Sequence, residues 1–192
     1  GGGFSECGRD VVWVDKDAGK LGRIENGDIP IFEPGLDKLV KHNYAAGRLS
    51  FTTDLAAAVA DADAVFIAVG TPSNPRDGGA DLSTLFAAAR EIATAVKGYT
   101  VVVTKSTVPV GTGRRVAQTI LEANPNADID MASNPEFLRE GSAIGDFMRP
   151  DRVVIGTETE RAQEVMRALY RPLYLIETPI LFTSLETAEL TK

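Results

Sequence analysis

Two glutamates lie four residues apart in the segment from Ser133 to Gly141. Glu136 and Glu140 would share one face of this segment if it were helical, and they flank the apolar pair Phe137 and Leu138. Apolar surroundings raise the pKa of a carboxyl group toward the range in which it serves as a general base. The segment therefore indicates acid–base chemistry, and the alternative is a solvated turn that carries an Arg–Glu pair.

A single carboxylate, Asp15, directly follows the apolar run Val11–Val14. At the end of the second strand of a dinucleotide-binding unit, a carboxylate accepts hydrogen bonds from the adenosine ribose. It also repels a 2′-phosphate, so it favours NAD over NADP. The alternative is a surface aspartate that caps the next helix.

Polar loops follow two further apolar runs. Gly70-Thr71-Pro72 comes after the run from 64 to 69, where a glycine lets a ligand approach the backbone and the Thr71 hydroxyl can reach a phosphate or a ribose. The segment from Lys105 to Thr112 follows the run from 101 to 103 and places hydroxyl groups before a predicted helix. Such a helix N-terminus could orient a water molecule or an anion. An ordinary turn and a helix-capping turn are the respective alternatives.

Alternating apolar runs and helical patterns predict the elements that position these loops. Continuously apolar runs are typical of strands that are covered on both faces, as in parallel sheets. We predict strands at 11–14, 64–69, 101–103, 129–132 and 153–155, and helices near 82–96, 113–123 and 160–170, with Asp81 and Thr159 as N-caps. This order predicts a doubly wound α/β sheet, with a long loop at 27–35.

Composition limits the classes of protein to consider. The 192 residues are 44% hydrophobic and 24% charged, which is typical of a globular chain. The net charge of −7 argues against nucleic acid or anionic lipid as a partner. No run approaches the roughly 18 apolar residues of a membrane span, and with no signal peptide we expect a cytoplasmic protein.

The sequence contains one cysteine and one histidine. We expect Cys7 to be a structural residue and His42 to lie on the surface. We also expect no metal site.

Taken together, the motifs resemble the UDP-glucose/GDP-mannose dehydrogenase family over essentially the whole chain. The specific combination is VDKD at 14–17, IPIFEPGL at 29–36, VFIAVGTP at 65–72, KSTVPVGT at 105–112, SNPEFLREGSAI at 133–144, DFMRPDRVVIG at 146–156 and ETAELTK at 186–192. The resemblance implies a mainly parallel Rossmann-like sheet and NAD as cofactor. It also implies a homo-oligomeric full-length enzyme that oxidises C6 of a nucleotide sugar through a cysteine-bound thioester. UDP-glucose is the expected substrate, with GDP-mannose and UDP-N-acetylmannosamine as alternatives.

The resemblance assigns roles to individual residues. Asp15 and Lys20 would bind the adenosine ribose, Thr71 would contact NAD and Glu140 would border the nicotinamide. Thr107 would contact the cofactor and position the water. Glu136 would act as general base, Lys192 would stabilise oxyanion character in the sugar site, and backbone groups of Phe137 and Leu138 would line that site together with Glu136 and Lys192.

The departures from the family pattern are segments that the family has and that have no counterpart in this sequence. The first strand with its glycine-rich loop and the nucleophilic cysteine have no counterpart in the 192 residues, and Cys7 aligns within the first helix. The first residue is not Met, and a helical pattern that begins near Ser184 runs to Lys192. We therefore expect residues 1–192 to be an incomplete NAD-binding domain that is inactive alone, with 184–192 as the start of a helix leading to a central helix. A non-catalytic nucleotide-binding module and a non-binding remnant are the alternatives.

Overall fold

Strands and helices alternate along the chain in a computed structural model that describes residues 1–30, 32–73, 78–174 and 178–192. The strands are β1 (Val11–Val14), β2 (Leu49–Thr52), β3 (Ala64–Ile67), β4 (Thr100–Thr104), β5 (Ile129–Ser133), β6 (Val153–Thr157) and β7 (Ile180–Thr183). The helices are α1 (Gly2–Glu6), α2 (Ala18–Glu25), α3 (Leu36–Ala45), α4 (Leu55–Ala60), α5 (Ser83–Ala95), α6 (Thr112–Ala123), α7 (Ala143–Met148), α8 (Glu160–Tyr174) and α9 (Leu185–Thr191). This order confirms the predicted α/β class.

The described strands form two sheets, β1-β2 and β3-β4-β5-β6-β7. Every pair is parallel except β5 with β6, which is antiparallel. The prediction of a mainly parallel sheet is therefore confirmed. Within the described residues, β1 bonds only to β2 and β3 only to β4, so each of these strands has one unpaired edge.

Helices cover both faces of β4, which is buried along its whole length. Val102 belongs to one apolar cluster with Leu85 of α5 and Ile120 of α6. Val101 and Val103 point to the opposite cluster, which contains Met166 of α8. The uninterrupted valine run is apolar because alternate side chains face two different cores.

Helix starts agree with the predictions except at α5. Thr159 Oγ1 accepts a hydrogen bond from the Ala162 N–H, as an N-cap side chain does. Asp81 was predicted as the N-cap of α5, but that position is Leu82, and the Asp81 carboxylate instead accepts from the Ser83 N–H. The predicted helix near Ser184 is confirmed as α9, whose N-cap is Ser184.

Three features of the fold differ from the sequence predictions. The strand expected to reach residue 69 ends at Ile67, where the chain turns into the Gly70 loop. Short strands β2 and β7, each at the outer edge of its sheet, were not predicted, although β7 contains an apolar run of three residues. Helix α7 lies within a segment that was expected to be irregular. The loop at 27–35 is confirmed apart from Ile31, which lies outside the described residues.

The lone cysteine and the lone histidine are not part of the loops that follow the strands. Cys7 is the C-cap of α1, is partly buried against the cluster that contains Phe4, and has a pKa raised by burial. His42 is exposed on α3, as expected. Among the described helices, none has both the length and the apolar character needed to cross a membrane.

Candidate functional site

The loops after β3, β4 and β5 meet at one edge of the larger sheet, because neighbouring parallel strands end on the same side. Two hydrogen bonds join the first two loops. Thr71 Oγ1 donates to the main-chain oxygen of Thr107 over 2.9 Å, and Ser106 Oγ donates to that of Val69 over 2.6 Å. The two threonines that were assigned to the cofactor are therefore neighbours.

Lys192 contacts Glu136 at this edge, although 56 residues separate them in sequence. Lys192 Nζ lies 3.1 Å from Glu136 Oε1 and 2.5 Å from the Glu136 main-chain oxygen. Lys192 also lines a small cavity together with Thr107. The structure thus brings the three predicted catalytic residues into one place.

The Glu136 carboxylate is ionised more readily than an ordinary glutamate, which contradicts the predicted rise of its pKa. Burial favours the neutral acid, but hydrogen bonds from the Leu138 N–H and from Lys192 outweigh it and lower the pKa of Glu136. The Leu138 N–H bond to Glu136 Oε2 is 2.6 Å long. Sequence reasoning weighed the apolar neighbours and could not include a lysine that arrives from a distant helix.

The segment after β5 is an extended loop, so the conditional helix that would align Glu136 and Glu140 is wrong. The Leu138 N–H bonds to Glu136 Oε2 and the Arg139 N–H to Asp146 Oδ2, so these backbone donors bond side chains rather than the main-chain oxygens of a helix. Glu140 is exposed and has no hydrogen-bond partner among the described residues. The Phe137 ring lies 5.7 Å from both the Lys192 ammonium and the Arg152 guanidinium carbon.

A polar cluster beneath the loop was missed by sequence reasoning. Lys105 Nζ donates to Asn134 Oδ1 over 3.0 Å and lies 3.4 Å from the Tyr170 hydroxyl, which also donates to Asn134. The Asn134 amide nitrogen donates to the Val154 main-chain oxygen over 2.8 Å. Burial, together with the positive charge of Lys192, lowers the pKa of Lys105 to about 8, although Glu136 opposes the shift. The cluster fixes the residue that directly precedes Pro135-Glu136.

The N-terminus of α6, which was expected to orient a water or an anion, already holds a carboxylate. Glu189 of α9 accepts 2.6 Å hydrogen bonds from the Gly111 and Gly113 N–H groups. Since 78 residues separate Glu189 from Gly111, no local sequence signal could have found this contact.

Glu33 also accepts hydrogen bonds from two backbone N–H groups, at the turn that follows Glu140. Its carboxylate oxygens accept hydrogen bonds from the Gly141 N–H over 2.8 Å and the Ala143 N–H over 2.7 Å. Glu33 belongs to the loop between α2 and α3, so that loop is tied to the turn that carries Glu140. The EPG motif was the only sequence signal at this position.

Asp15 and Lys20 form a separate pair at the end of β1. Lys20 Nζ lies 2.5 Å from Asp15 Oδ2, and this hydrogen bond lowers the pKa of Asp15. Asp15 Oδ1 also accepts from the Asp17 N–H, the N-cap residue of α2. Neither Asp15 nor Lys20 contacts the Glu136–Lys192 group through a described hydrogen bond, so these two pairs are distinct parts of the candidate site.

Comparison with known proteins gives one family over most of the chain. Residues 1–174 match the family model described as the UDP-glucose/GDP-mannose dehydrogenase family, NAD binding domain. A UDP-glucose 6-dehydrogenase of Rhizobium meliloti (strain 1021) is 62% identical over 191 residues, which cover 98% of this chain and 44% of that protein. The chain therefore spans less than half the length of this curated relative.

Solved structures give the same similarity. A UDP-glucose dehydrogenase from the archaeon Pyrobaculum islandicum superposes with a TM-score of 0.92 at 42% identity, over 99% of this chain and 44% of that one. A GDP-mannose dehydrogenase from Pseudomonas aeruginosa superposes with a TM-score of 0.92 at 37% identity, over 100% of this chain and 44% of that one.

Proposed function

Because this chain belongs to the UDP-glucose/GDP-mannose dehydrogenase family, we propose that it supplies the NAD-binding part of an enzyme that oxidises UDP-glucose to UDP-glucuronate. Each of the two oxidations transfers one hydride from C6 to NAD and releases a proton, and water supplies the second carboxylate oxygen. The observation that carries the proposal is the Glu136–Lys192 pair beside Thr107 at the carboxyl ends of β4 and β5.

Glu136 and Lys192 have complementary tasks in this proposal. An ionised Glu136 can accept a proton, directly or from a water molecule that Thr107 helps to orient. The Lys192 ammonium is a preplaced positive charge for the oxyanion that develops on the C6 oxygen. In the family, a cysteine forms the thioester, and we propose that this cysteine lies outside the 192 residues. Water activated by Glu136 would then release the acid.

Asp15 has the chemistry that a dinucleotide requires. Its carboxylate follows β1, is held ionised by Lys20, and has two oxygens with acceptor capacity beyond the hydrogen bonds it makes within the chain. We propose that Asp15 and Lys20 bind the adenosine ribose, that Thr71 and Thr107 contact NAD, and that Glu140 borders the nicotinamide. Bound NAD supplies the hydride acceptor.

Identity to relatives supports UDP-glucose as the substrate. The chain is 62% identical to the named UDP-glucose 6-dehydrogenase of Rhizobium meliloti, but 37% to the GDP-mannose enzyme and 28% to a UDP-D-ManNAc dehydrogenase of Pyrococcus horikoshii. We propose that the sugar nucleotide lies along the loop after β5, with the backbone groups of Phe137 and Leu138 beside it. The Leu138 N–H currently bonds to Glu136, so it would serve both groups or exchange partners.

The unpaired edges of β1 and β3 support the proposal that residues 1–192 are an incomplete domain. A further parallel strand would satisfy both rows of backbone groups. We therefore propose that the 192 residues alone do not turn over UDP-glucose, and that activity needs the longer protein.

The experiment is an NADH absorbance assay on the full-length protein with UDP-glucose, GDP-mannose and UDP-N-acetylmannosamine in parallel. The proposal predicts that UDP-glucose gives the highest kcat/KM. A preference for GDP-mannose or UDP-N-acetylmannosamine would overturn the substrate assignment. NAD binding without turnover of any of the three would favour the non-catalytic module.

A further inference from the structure

We propose that Glu189 is a positioning residue that sets the place of Lys192 and of the Thr107 loop by filling the N-terminus of α6 with its own carboxylate. This inference rests on the proposed function for its kinetic consequences only. Its structural basis is a buried acidic side chain, 6% exposed, that lines the same cavity as Thr107 and Lys192.

The Glu189 carboxylate accepts hydrogen bonds from backbone N–H groups at the start of α6, where the N-cap residue makes no side-chain hydrogen bond. The N-cap of α6 is Gly111, which carries no side chain and adopts φ of 90°. Glu189 Oε2 accepts from the Gly111 N–H and Oε1 from the Gly113 N–H, each over 2.6 Å, while Ser133 Oγ lies 3.4 Å from Oε1. A carboxylate is favoured at this place because the first turn of a helix leaves N–H groups free and carries a partial positive charge.

Close packing leaves this carboxylate little freedom. A Cβ atom on Gly113 would lie 3.0 Å from Glu189 Oε1 and 3.2 Å from Ser133 Oγ. On the other side of α9, a Cβ atom on Gly156 would lie 2.5 Å from the Ser184 main-chain oxygen. Glycine at both positions therefore lets α9 approach α6 and β6 closely.

The position of Lys192 follows from this anchor. Lys192 comes three residues after Glu189, about one helical turn along α9, and its ammonium reaches Glu136. The same carboxylate accepts a hydrogen bond from Gly111. Gly111 lies at the end of the loop that begins at Lys105 and contains Thr107. One carboxylate thus connects the helix that presents the lysine to the loop that presents the threonine. It also occupies the helix end, so we expect no phosphate of cofactor or substrate to bind there.

The test compares Glu189→Gln with Glu186→Gln in the full-length protein. Glu186 lies on the same helix and also bonds α6, through Arg114, but this ion pair is exposed. Gly111 and Gly113 bond different oxygens of Glu189, and Glu189→Gln replaces one of them with an NH2 group that cannot accept. A hydrogen bond to an ionised group also contributes more than a neutral one. We expect Glu189→Gln to accelerate hydrogen exchange of the Gly111 and Gly113 amides by about tenfold or more. It should accelerate the reaction of Lys192 with an amine-reactive acylating reagent by a similar factor. It should also lower kcat, and the KM for NAD should change less than kcat, because Asp15, Lys20 and Thr71 would still contact the cofactor.

A second variant serves if Glu189→Gln does not fold. Gly113→Ala retains the Glu189 carboxylate but displaces it, because the added Cβ would lie 3.0 Å from Oε1, and it should also increase Lys192 acylation. Glu189→Asp, which keeps the charge on a shorter side chain, should restore part of the protection. The proposal is overturned if Lys192 acylation in the folded variant, Glu189→Gln or Gly113→Ala, stays within about twofold of the Glu186→Gln control. Exchange and acylation need no turnover, so they test the positioning role even if no nucleotide sugar is oxidised.

Discussion

The Lys192 ammonium contacts both the side chain and the backbone of Glu136, at 3.1 Å from Oε1 and 2.5 Å from the main-chain oxygen. This cation therefore acts together with the Leu138 N–H to keep the candidate base ionised, and it also contacts the backbone of the loop on which the base lies. Both side chains are partly shielded from solvent, at 25% and 33% exposure, so the interaction is screened less than at an open surface.

Removing the lysine should change the titration of Glu136. Because the hydrogen bond and the charge of Lys192 lower the pKa of Glu136, Lys192→Met should move that pKa upward, toward or above its ordinary value of 4.5. Folding stability gained from this carboxylate is present above the ordinary pKa and is lost as the pH falls through the lowered one. Isotope-edited NMR of the glutamate carboxyl groups measures the shift. Lys16→Met, at an exposed lysine that pairs with Glu91, is the control, and an unchanged Glu136 titration in Lys192→Met would contradict the prediction.

Lys105 should make the protein more stable as the pH rises from about 8 to 10.5. The unfolded chain keeps the proton on this lysine up to its ordinary pKa of 10.5, whereas the folded chain releases it near 8. Between these values the unfolded state binds more protons, so the free energy of unfolding increases with pH. Denaturant unfolding of Lys105→Met across this range should lack that increase. Lys97→Met, at an exposed lysine, should keep it, and equal slopes for the two variants would refute the assigned pKa.

Glu33→Gln should loosen the turn that carries Glu140. The two carboxylate oxygens accept hydrogen bonds from the Gly141 and Ala143 N–H groups, one each, and the amide replaces one of these oxygens with an NH2 group that cannot accept. We expect faster amide exchange at both residues and a loss of about 1–3 kcal/mol in local stability. Asp37→Asn, on the exposed side of α3, is the matched control. Exchange that is unchanged at Gly141 and Ala143 would show that Glu33 does not hold the turn.

Gly156→Ala should destabilise the protein through α9. The added Cβ would meet the Ser184 main-chain oxygen at 2.5 Å and the Ala188 Cβ at 2.7 Å, so the helix must shift at a cost of about 1–3 kcal/mol. Gly22→Ala is the control, because a Cβ there meets nothing within 4 Å and lies on helix α2. That change should be neutral or stabilise by up to about 1 kcal/mol. Equal thermal midpoints for the two variants would contradict the packing argument.

The larger part of the fold could be predicted from the sequence. The apolar runs around Val102 and Ile155 predicted two strands that are buried along their whole length. Edge strand β7 is only partly buried and was missed, although its apolar run is equally long, so run length alone does not identify a strand. Helix α7 was missed because its start is fixed by Glu33, a distant side chain that no local pattern contains.

The site was predictable in its residue types but not in its electrostatics. Motif positions identified Glu136 and Lys192, yet the predicted rise in the pKa of Glu136 was wrong because the sequence does not show that Lys192 contacts it. Glu189 and Lys105 were missed for the same reason, since their partners lie on other elements. The assignments of Asp15, Lys20, Thr71, Thr107 and Glu140 to the cofactor stay predictions. So do those of Phe137 and Leu138 to the sugar nucleotide, and of Thr107, Glu136 and Lys192 to catalysis.

The most direct test of the central claim is the rate of NADH formation from UDP-glucose by the full-length protein, compared between wild type, Glu136→Gln and Glu122→Gln. Glu122 lies exposed on α6, away from the strand ends. The account predicts that wild type and Glu122→Gln form two NADH per UDP-glucuronate, and that Glu136→Gln loses a factor of about 100 or more in kcat, as expected for loss of a general base. Turnover by Glu136→Gln at the rate of Glu122→Gln would contradict it.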